Sequence, residues 1–181
     1  RYARVKSVRR ISDREVEVIL NRALPEELIV DSDVLENMTW TPRVDIRGNH
    51  FTRTSTRGVL VTTPRKAVIS DNTFLKTGMA GVLIAADAKD WYESGPVRDV
   101  RIRNNRFIDC CYNSHQAVIT IDPSNTVIDR RNPVHGRICV TGNTFEADSL
   151  KIIYAKSTAR LKVSGNTVNG GKLQQSHVIV K

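Results

Sequence analysis

Val140-Thr141-Gly142-Asn143-Thr144-Phe145 reads as a short alternating strand running into a tight turn, and the chain writes that turn five times. The other copies are Gly48-Asn49-His50-Phe51, Asp71-Asn72-Thr73-Phe74, Asn104-Asn105-Arg106-Phe107 and Gly165-Asn166-Thr167-Val168. Each has the same apolar frame. Ile46, Ile69, Ile102, Val140 and Val163 stand three residues before the asparagine, and Val44, Ala67, Val100, Ile138 and Leu161 five before. The asparagines lie 23, 33, 38 and 23 residues apart, so one supersecondary unit repeats, with extra residues spliced into its second and third intervals. Those two insertions are where function is expected.

A second strand follows each asparagine by about a dozen residues: Gly58–Thr63, Gly81–Ala86, Ala117–Asp122 and Lys151–Lys156. Two short strands per repeat, with no helical period between them, predict an all-β fold, a right-handed parallel β-helix. Equivalent positions would stack about 4.8 Å apart. Leu60, Leu83, Ile119 and Ile153 are expected to form one internal apolar ladder, and Phe51, Phe74, Phe107 and Phe145 another. Asparagine tolerates left-handed turn geometry and bonds neighbouring backbone, so the stacked asparagines are read as ties between rungs rather than as catalysts.

Residues 1–38 read differently. Val5, Val8, Val16, Val18 and Leu20 alternate with charged residues around Ser12-Asp13-Arg14, the pattern of a small antiparallel β segment. The repeat begins near residue 40, so residues 39–181 are taken as rungs of a longer solenoid. The chain starts at Arg1 and is read as a piece of something longer. At 181 residues and 40% hydrophobic it is not disordered, and no apolar run approaches the ~20 residues of a membrane helix. The formal charge of +9 arises from 28 basic and 19 acidic residues. Arginines such as Arg47, Arg101 and Arg103 are scattered at outward positions, without the interleaved aromatics of a nucleic-acid platform, so a solvated basic surface is expected. Cys110, Cys111 and Cys139 are an odd number; a bridge from Cys139 to one of the others is geometrically open, small buried thiols being the plainer reading.

Alternation sends Leu60, Thr62 and their equivalents inward, leaving Val61, Ile84, Thr120 and Tyr154 outward, with Thr63, Ala86, Asp122 and Lys156 at the strand ends. Both insertions start there, after Ala86 and after Asp122, while the flanking rungs have short turns. Two long loops on adjacent rungs of a rigid wall predict a cleft. Its content suits carbohydrate: Asp87, Asp90, Glu93 and Asp122 are carboxylates, and Trp91, Tyr92 and Tyr154 offer flat faces for a sugar ring. A one-residue offset between Asp87 and the level of Asp122 places their carboxyl groups roughly 5–10 Å apart, a window that covers both glycosidase geometries. Lys156 beside Asp122 on the next rung suits Asp122 to the role of base, and Glu93 beside Trp91 and Tyr92 is the candidate acid. Each carboxylate is also readable as a solvated loop charge, and His115 and His135 as incidental.

At these loops the chain resembles the family 110 glycoside hydrolases, α-galactosidases, and related bacterial β-helix proteins. The likeness is carried by Thr39-Trp40-Thr41-Pro42, Gly58 through Lys66, Asp87-Ala88, Trp91-Tyr92-Glu93-Ser94-Gly95, Val100 through Asn105 and Tyr154-Ala155-Lys156-Ser157. It implies an exo-acting hydrolase that removes terminal α-linked galactose from oligosaccharides or polysaccharides with inversion and without a metal or other cofactor. It also implies a secreted or periplasmic bacterial protein, an oligomer being open, and a barrel-like β elaboration for residues 1–38. The chain departs from the pattern at Ala86, Ser124 and Gln116, where such relatives carry acidic residues. The catalytic candidates read from the loops are Asp87, Asp122 and Glu93, with Trp91, Tyr92, Asp90, Arg65, Lys66, Tyr154 and Lys156 as substrate contacts.

Two other classes compete. A polyuronate lyase would use Arg65, Lys66 or Lys156 as base, usually with clustered carboxylates for calcium; calcium-independent action on neutral α-galactosides excludes it. A non-catalytic glycan-binding or structural β-helix would turn over no glycoside.

Overall fold

The computed structural model describes residues 3–30, 33–93, 95–148 and 151–181. It is all-β, apart from one turn of 3₁₀ helix at Gln175–His177. The chain forms two compact units, residues 1–34 and 35–181. In the first, β1 (Val5–Arg10) pairs antiparallel with β2 (Val16–Leu20), setting Val8 opposite Val18 and Arg9 opposite Glu17, an ion pair at 3.1 Å.

In the second unit the chain visits three sheets in turn. The first tier is β3 (Val44–Arg47), β4 (His50–Thr52) and β5 (Val59–Val61). The second is β6 (Ala67–Ser70), β7 (Thr73–Leu75) and β8 (Val82–Ile84). The third is β9 (Asp99–Arg103), β10 (Arg106–Ile108) and β11 (Ile119–Ile121). The fourth is β12 (His135–Thr141), β13 (Thr144–Glu146) and β14 (Ile153–Ala155). β15 (Thr158–Ser164), β16 (Thr167–Val168), β17 (Gly171–Lys172) and β18 (Val178–Val180) complete the stack. The first sheet runs β3-β6-β9-β12-β15, the second β4-β7-β10-β13-β16-β17 and the third β5-β8-β11-β14-β18; every pairing is parallel except the terminal β16–β17.

Each tier has three strands where the sequence pattern suggested two, because the asparagine turn ends one strand and starts another in the next sheet. The turn works in two parts. The residue before each asparagine takes the left-handed conformation, with φ between 54° and 66° at Gly48, Asp71, Asn104, Gly142 and Gly165, so the asparagine itself does not. The asparagine turns inward instead. Asn72, Asn105, Asn143 and Asn166 are almost fully buried, and each accepts on Oδ1 from the backbone N–H and the side-chain amide of the asparagine one tier earlier, at 2.9–3.2 Å. A buried polar turn is thereby satisfied without water.

The apolar columns fill the space between the sheets. Ile46, Ile69, Ile102, Val140 and Val163 are in register, as are Val44, Ala67, Val100, Ile138 and Leu161. Phe51, Phe74, Phe107 and Phe145 stack with centroids 4.8, 4.8 and 5.0 Å apart and rings within 9° of parallel. Burying each of the three inner rings contributes about 2–3 kcal/mol. Gly58 and Gly81 seat this stack, since a Cβ at either would meet the ring of Phe74 or Phe107 at 2.7 Å.

The third sheet corrects the expected facing. Val59, Val82, Ile119 and Ile153 are in register and point inward, as do Val61, Ile84, Ile121 and Ala155. Leu60 and Leu83, expected inside, form the outward column with Thr120 and Tyr154, and Val61 and Ile84, expected outside, belong to the core. Thr63, also expected outside, is buried and donates to the Pro42 carbonyl at 2.7 Å. A one-residue slip exchanges the two faces of any strand. Here Val118, rather than Ala117, is the residue that continues the level of Gly81.

Candidate functional site

The outward side of the third sheet carries the candidate residues, and two insertions leave its far edge, after β8 and after β11. The ladder extends past the strands: Asp122 donates its N–H to the Ile84 carbonyl at 3.0 Å and Ser124 to that of Ala86 at 3.1 Å. Ile84 is opposite Ile121, so Asp87, three residues on, is level with Ser124. Asp87 is therefore two residues past the level of Asp122, not one. Ser124 also ties the insertions together, accepting on Oγ from the Ala88 N–H at 3.2 Å and donating to the Ala86 carbonyl at 3.1 Å.

Asp122 and Lys156 come together as the sequence suggested. They are neighbours across β11 and β14, and Lys156 Nζ lies 2.9 Å from Asp122 Oδ1. The lysine head is largely covered, with its side chain 18% exposed, while the carboxylate is 47% exposed and open to a ligand. Tyr154 stands on the same strand, half-buried, with Lys181 Nζ 5.9 Å from its ring centre.

Asp87 is spent inside its own loop. Its carboxylate accepts from the backbone N–H groups of Lys89, Asp90 and Trp91 at 2.9, 3.0 and 3.0 Å. Those bonds, from Asp90 first, then Lys89 and Trp91, hold the carboxyl below the usual aspartate range. The loop closes where the Asp87 N–H reaches the Glu93 carbonyl at 3.2 Å. Ser94 lies outside the described residues.

Glu93 does not have the dry surroundings expected of a proton donor. Its carboxylate is engaged by the Arg57 guanidinium, and Trp91 and Tyr92 are 79% and 65% exposed. Asp90 is also exposed. Arg65 and Lys66 lie at the first-tier corner with exposed side chains, Arg65 Nε donating to Thr41 Oγ1 at 3.3 Å. The insertion after β8 leans across β5: Glu93 meets Arg57 before that strand, and Gly95 packs on the Thr62 carbonyl after it. Leu83, although outward, is buried in a small apolar cluster with Ala80 and Ala85, against which Leu60 and Cys111 pack.

Beside this corner lies a cavity of about 190 Å³ lined by Glu36, Thr41, Pro42, Val44, Leu60, Val61, Thr62 and Thr63. Burial pushes the Glu36 carboxyl above its ordinary value. Nothing in the local sequence marks Glu36, because only the fold carries residue 36 to the loop around Gly95.

His135 joins the ends of the two insertions. It is fully buried, and its Nδ1 accepts the Val97 N–H at 3.3 Å, which puts the imidazole proton on Nε2. Burial, with Arg98 nearby, pushes its pKa down to about 4 against the opposing pull of Asp122. The three cysteines are free thiols; Cys139 lies in register with Arg101 and Lys162 on the first sheet, away from the connection that holds Cys110 and Cys111. Among the described residues no group of three or more His, Cys, Asp or Glu side chains is placed to hold a metal ion.

The parallel sheets and the carboxylate-bearing loops on one outer face are the frame within which the likeness to known proteins falls. The chain is 56% identical to alpha-1,3-galactosidase A of Bacteroides fragilis (strain YCH46) over 168 residues, 92% of the chain and 28% of that protein. Alpha-1,3-galactosidase A of Bacteroides thetaiotaomicron is 39% identical over 91% of the chain, and that of Akkermansia muciniphila 36% over 97%; each is matched over 28% of its own length. No protein-family model matches. The resemblance to the family 110 α-galactosidases is borne out by these relatives, and the chain spans a little over a quarter of their length.

Proposed function

We propose that the chain is a segment of a right-handed parallel β-helix in an exo-acting, inverting α-galactosidase-like glycoside hydrolase. The observation that carries the activity is the 56% identity over 92% of the chain to an alpha-1,3-galactosidase. For the fold, three parallel sheets visited in turn require crossovers that are right-handed in nearly all parallel β connections. The antiparallel pair β1–β2, whose Val8, Val16 and Val18 are exposed, fits a barrel-like β unit, and the protein's place is secreted or periplasmic.

The substrate is a terminal α-linked galactosyl group, and the reaction is single displacement by water. Asp122 is the base. It is the one candidate catalytic carboxylate that is held in place by a cation yet open at the strand end, and Lys156 fixes its position. Asp87 serves the loop, with all three of its hydrogen bonds going to that loop's backbone. Tyr154, one residue from the covered Ala155 and two from Lys156, supplies the apolar face for the sugar.

The test is release of free galactose from α-1,3-galactosyl oligosaccharides by the full-length protein, with chelator present. Asp122→Asn is expected to lower kcat at least 100-fold, the usual scale for a general base. Full activity in that variant removes Asp122 from the role, and no galactose release by the unaltered protein removes the hydrolase reading.

A further inference from the structure

We propose that the outer face of the first sheet is a binding surface for a sulfated polysaccharide, separate from the strand-end site of Asp122. That a polysaccharide bears the anion rests on the glycosidase reading above; that the surface is cationic rests on strand register.

Along the sequence the arginines look scattered, and the sheet gathers them. Val44, Ile46 and their equivalents point into the core, so alternation turns the intervening residues of β3, β6, β9, β12 and β15 outward. Those positions carry Arg47, Arg101, Arg103, Arg137, Arg160 and Lys162 against two carboxylates, Asp45 and Asp99. Arg101 is half-buried and the other cations are exposed. The remaining sheets differ. On β4, β7, β10, β13 and β16 the charged residues are Arg106 and Glu146, paired at 2.8 Å, and the outward column Leu60, Leu83, Thr120 and Tyr154 of the third sheet has none. Among the three sheets the excess positive charge therefore sits on one face.

That face is only partly neutralised from within. Asp99 Oδ2 lies 3.0 Å from Arg137 and 3.5 Å from Arg101, so one carboxylate holds two guanidinium groups in place and cancels one of them. Asp45 pairs with Arg47. Among the described residues Arg103, Arg160 and Lys162 have no carboxylate within ion-pair distance. Cations already fixed on a sheet lose little freedom when an anion docks.

Register selects the anion. Cys139 stands in line between Arg101 on the tier before and Lys162 on the tier after, with Arg137 two residues earlier on its own strand. Neighbouring tiers are about 4.8 Å apart, so three cations surround one short side chain. A sulfate ester has three terminal oxygens to share among them, where a carboxylate has two, and like arginine it stays charged across the physiological pH range. Arg103 and Arg160 continue the positive surface to either side, which suits a chain of repeated sulfates rather than a single ion. Nucleic acid fits less well: none of the outward positions of this sheet is aromatic, so bases have no stacking surface.

The experiment measures binding of dextran sulfate to the full-length protein by titration calorimetry at about 50 and about 300 mM salt, with uncharged dextran as control. The triple variant Arg137→Gln, Arg160→Gln, Lys162→Gln is compared with one that removes as many charges beside the second sheet, Arg53→Gln, Lys76→Gln, Lys172→Gln. Dextran sulfate is expected to bind and dextran not to. The higher salt and the first variant should each weaken binding at least about tenfold, and the second variant less than about threefold. Both variants should keep the melting temperature and the galactose release of the unaltered protein. Equal losses in the two variants would show an effect of net charge and overturn the proposal, as would tighter binding of polygalacturonate, single-stranded DNA or phosphatidylserine vesicles. Galactose release without dextran sulfate binding overturns this proposal alone; dextran sulfate binding without galactose release overturns the hydrolase reading and leaves the cationic face standing.

Discussion

Replacing Asn105 with alanine cuts the asparagine column in its middle. Asn105 Oδ1 accepts from the Asn72 backbone N–H at 3.0 Å and from Asn72 Nδ2 at 2.9 Å; its own Nδ2 donates to the Ile69 carbonyl at 2.9 Å and to Asn143 Oδ1 at 3.0 Å. The four losses are unequal. Asn72 Nδ2 keeps the Ile46 carbonyl and Asn143 Oδ1 keeps the Asn105 N–H, so those two forfeit one bond each, about 0.5–1 kcal/mol. The Asn72 N–H, on a residue 1% exposed, loses its acceptor outright, at about 1–3 kcal/mol. With the Ile69 bond the total is roughly 3–5 kcal/mol, a large share of a domain's stability. Asn49→Ala, at the exposed start of the column, deletes two donations from an amide that faces solvent and is expected to cost under about 1 kcal/mol. Urea denaturation of the two variants of the full-length protein, followed by circular dichroism, separates them. Equal midpoints for the two variants would show that the asparagines act as independent turn residues and not as a connected column.

The buried His135 makes stability depend on acid. Its pKa is lowered from 6.5 to about 4, so the stabilisation that comes with its neutral form is complete above pH ~6.5 and is lost as pH falls toward 4, by up to about 3 kcal/mol. His135→Gln should flatten the change in melting temperature across that window, and an unchanged slope would exclude the residue. Gly81→Ala, which sets a Cβ 2.7 Å from the Phe107 ring, is expected to cost about 1–3 kcal/mol in thermal unfolding, whereas the same change at the open Gly170 should lower stability only through its φ of +79°.

The stack was legible because its signals are redundant. Five asparagine turns, two columns of aliphatic residues and a column of phenylalanines all repeat at the same levels, and each was placed correctly. The third sheet was not, for a physical reason. Val59-Leu60-Val61 and Val82-Leu83-Ile84 are apolar on both faces, so alternation carries no information about which face is buried. The leucines face outward into a small cluster that includes Cys111 of the next tier, a contact that no local pattern encodes. Asp122 and Lys156 were found together because register alone pairs them. Glu36 and His135 were missed because their significance comes from burial and from partners 59 and 38 residues away, Gly95 against Glu36 and Val97 against His135.

Every tier offers the next one the same sockets: an amide oxygen, an aromatic face and two aliphatic ridges. Where no insertion intervenes, the asparagines are 23 residues apart, as at Asn49–Asn72 and at Asn143–Asn166. A gene encoding such a wall can lengthen or shorten in whole steps of that size, because a duplicated step presents matching surfaces above and below from the moment it is made. The architecture is in this sense modular for heredity: the wall grows by copying, while its chemistry changes by what is spliced in after β8 and β11.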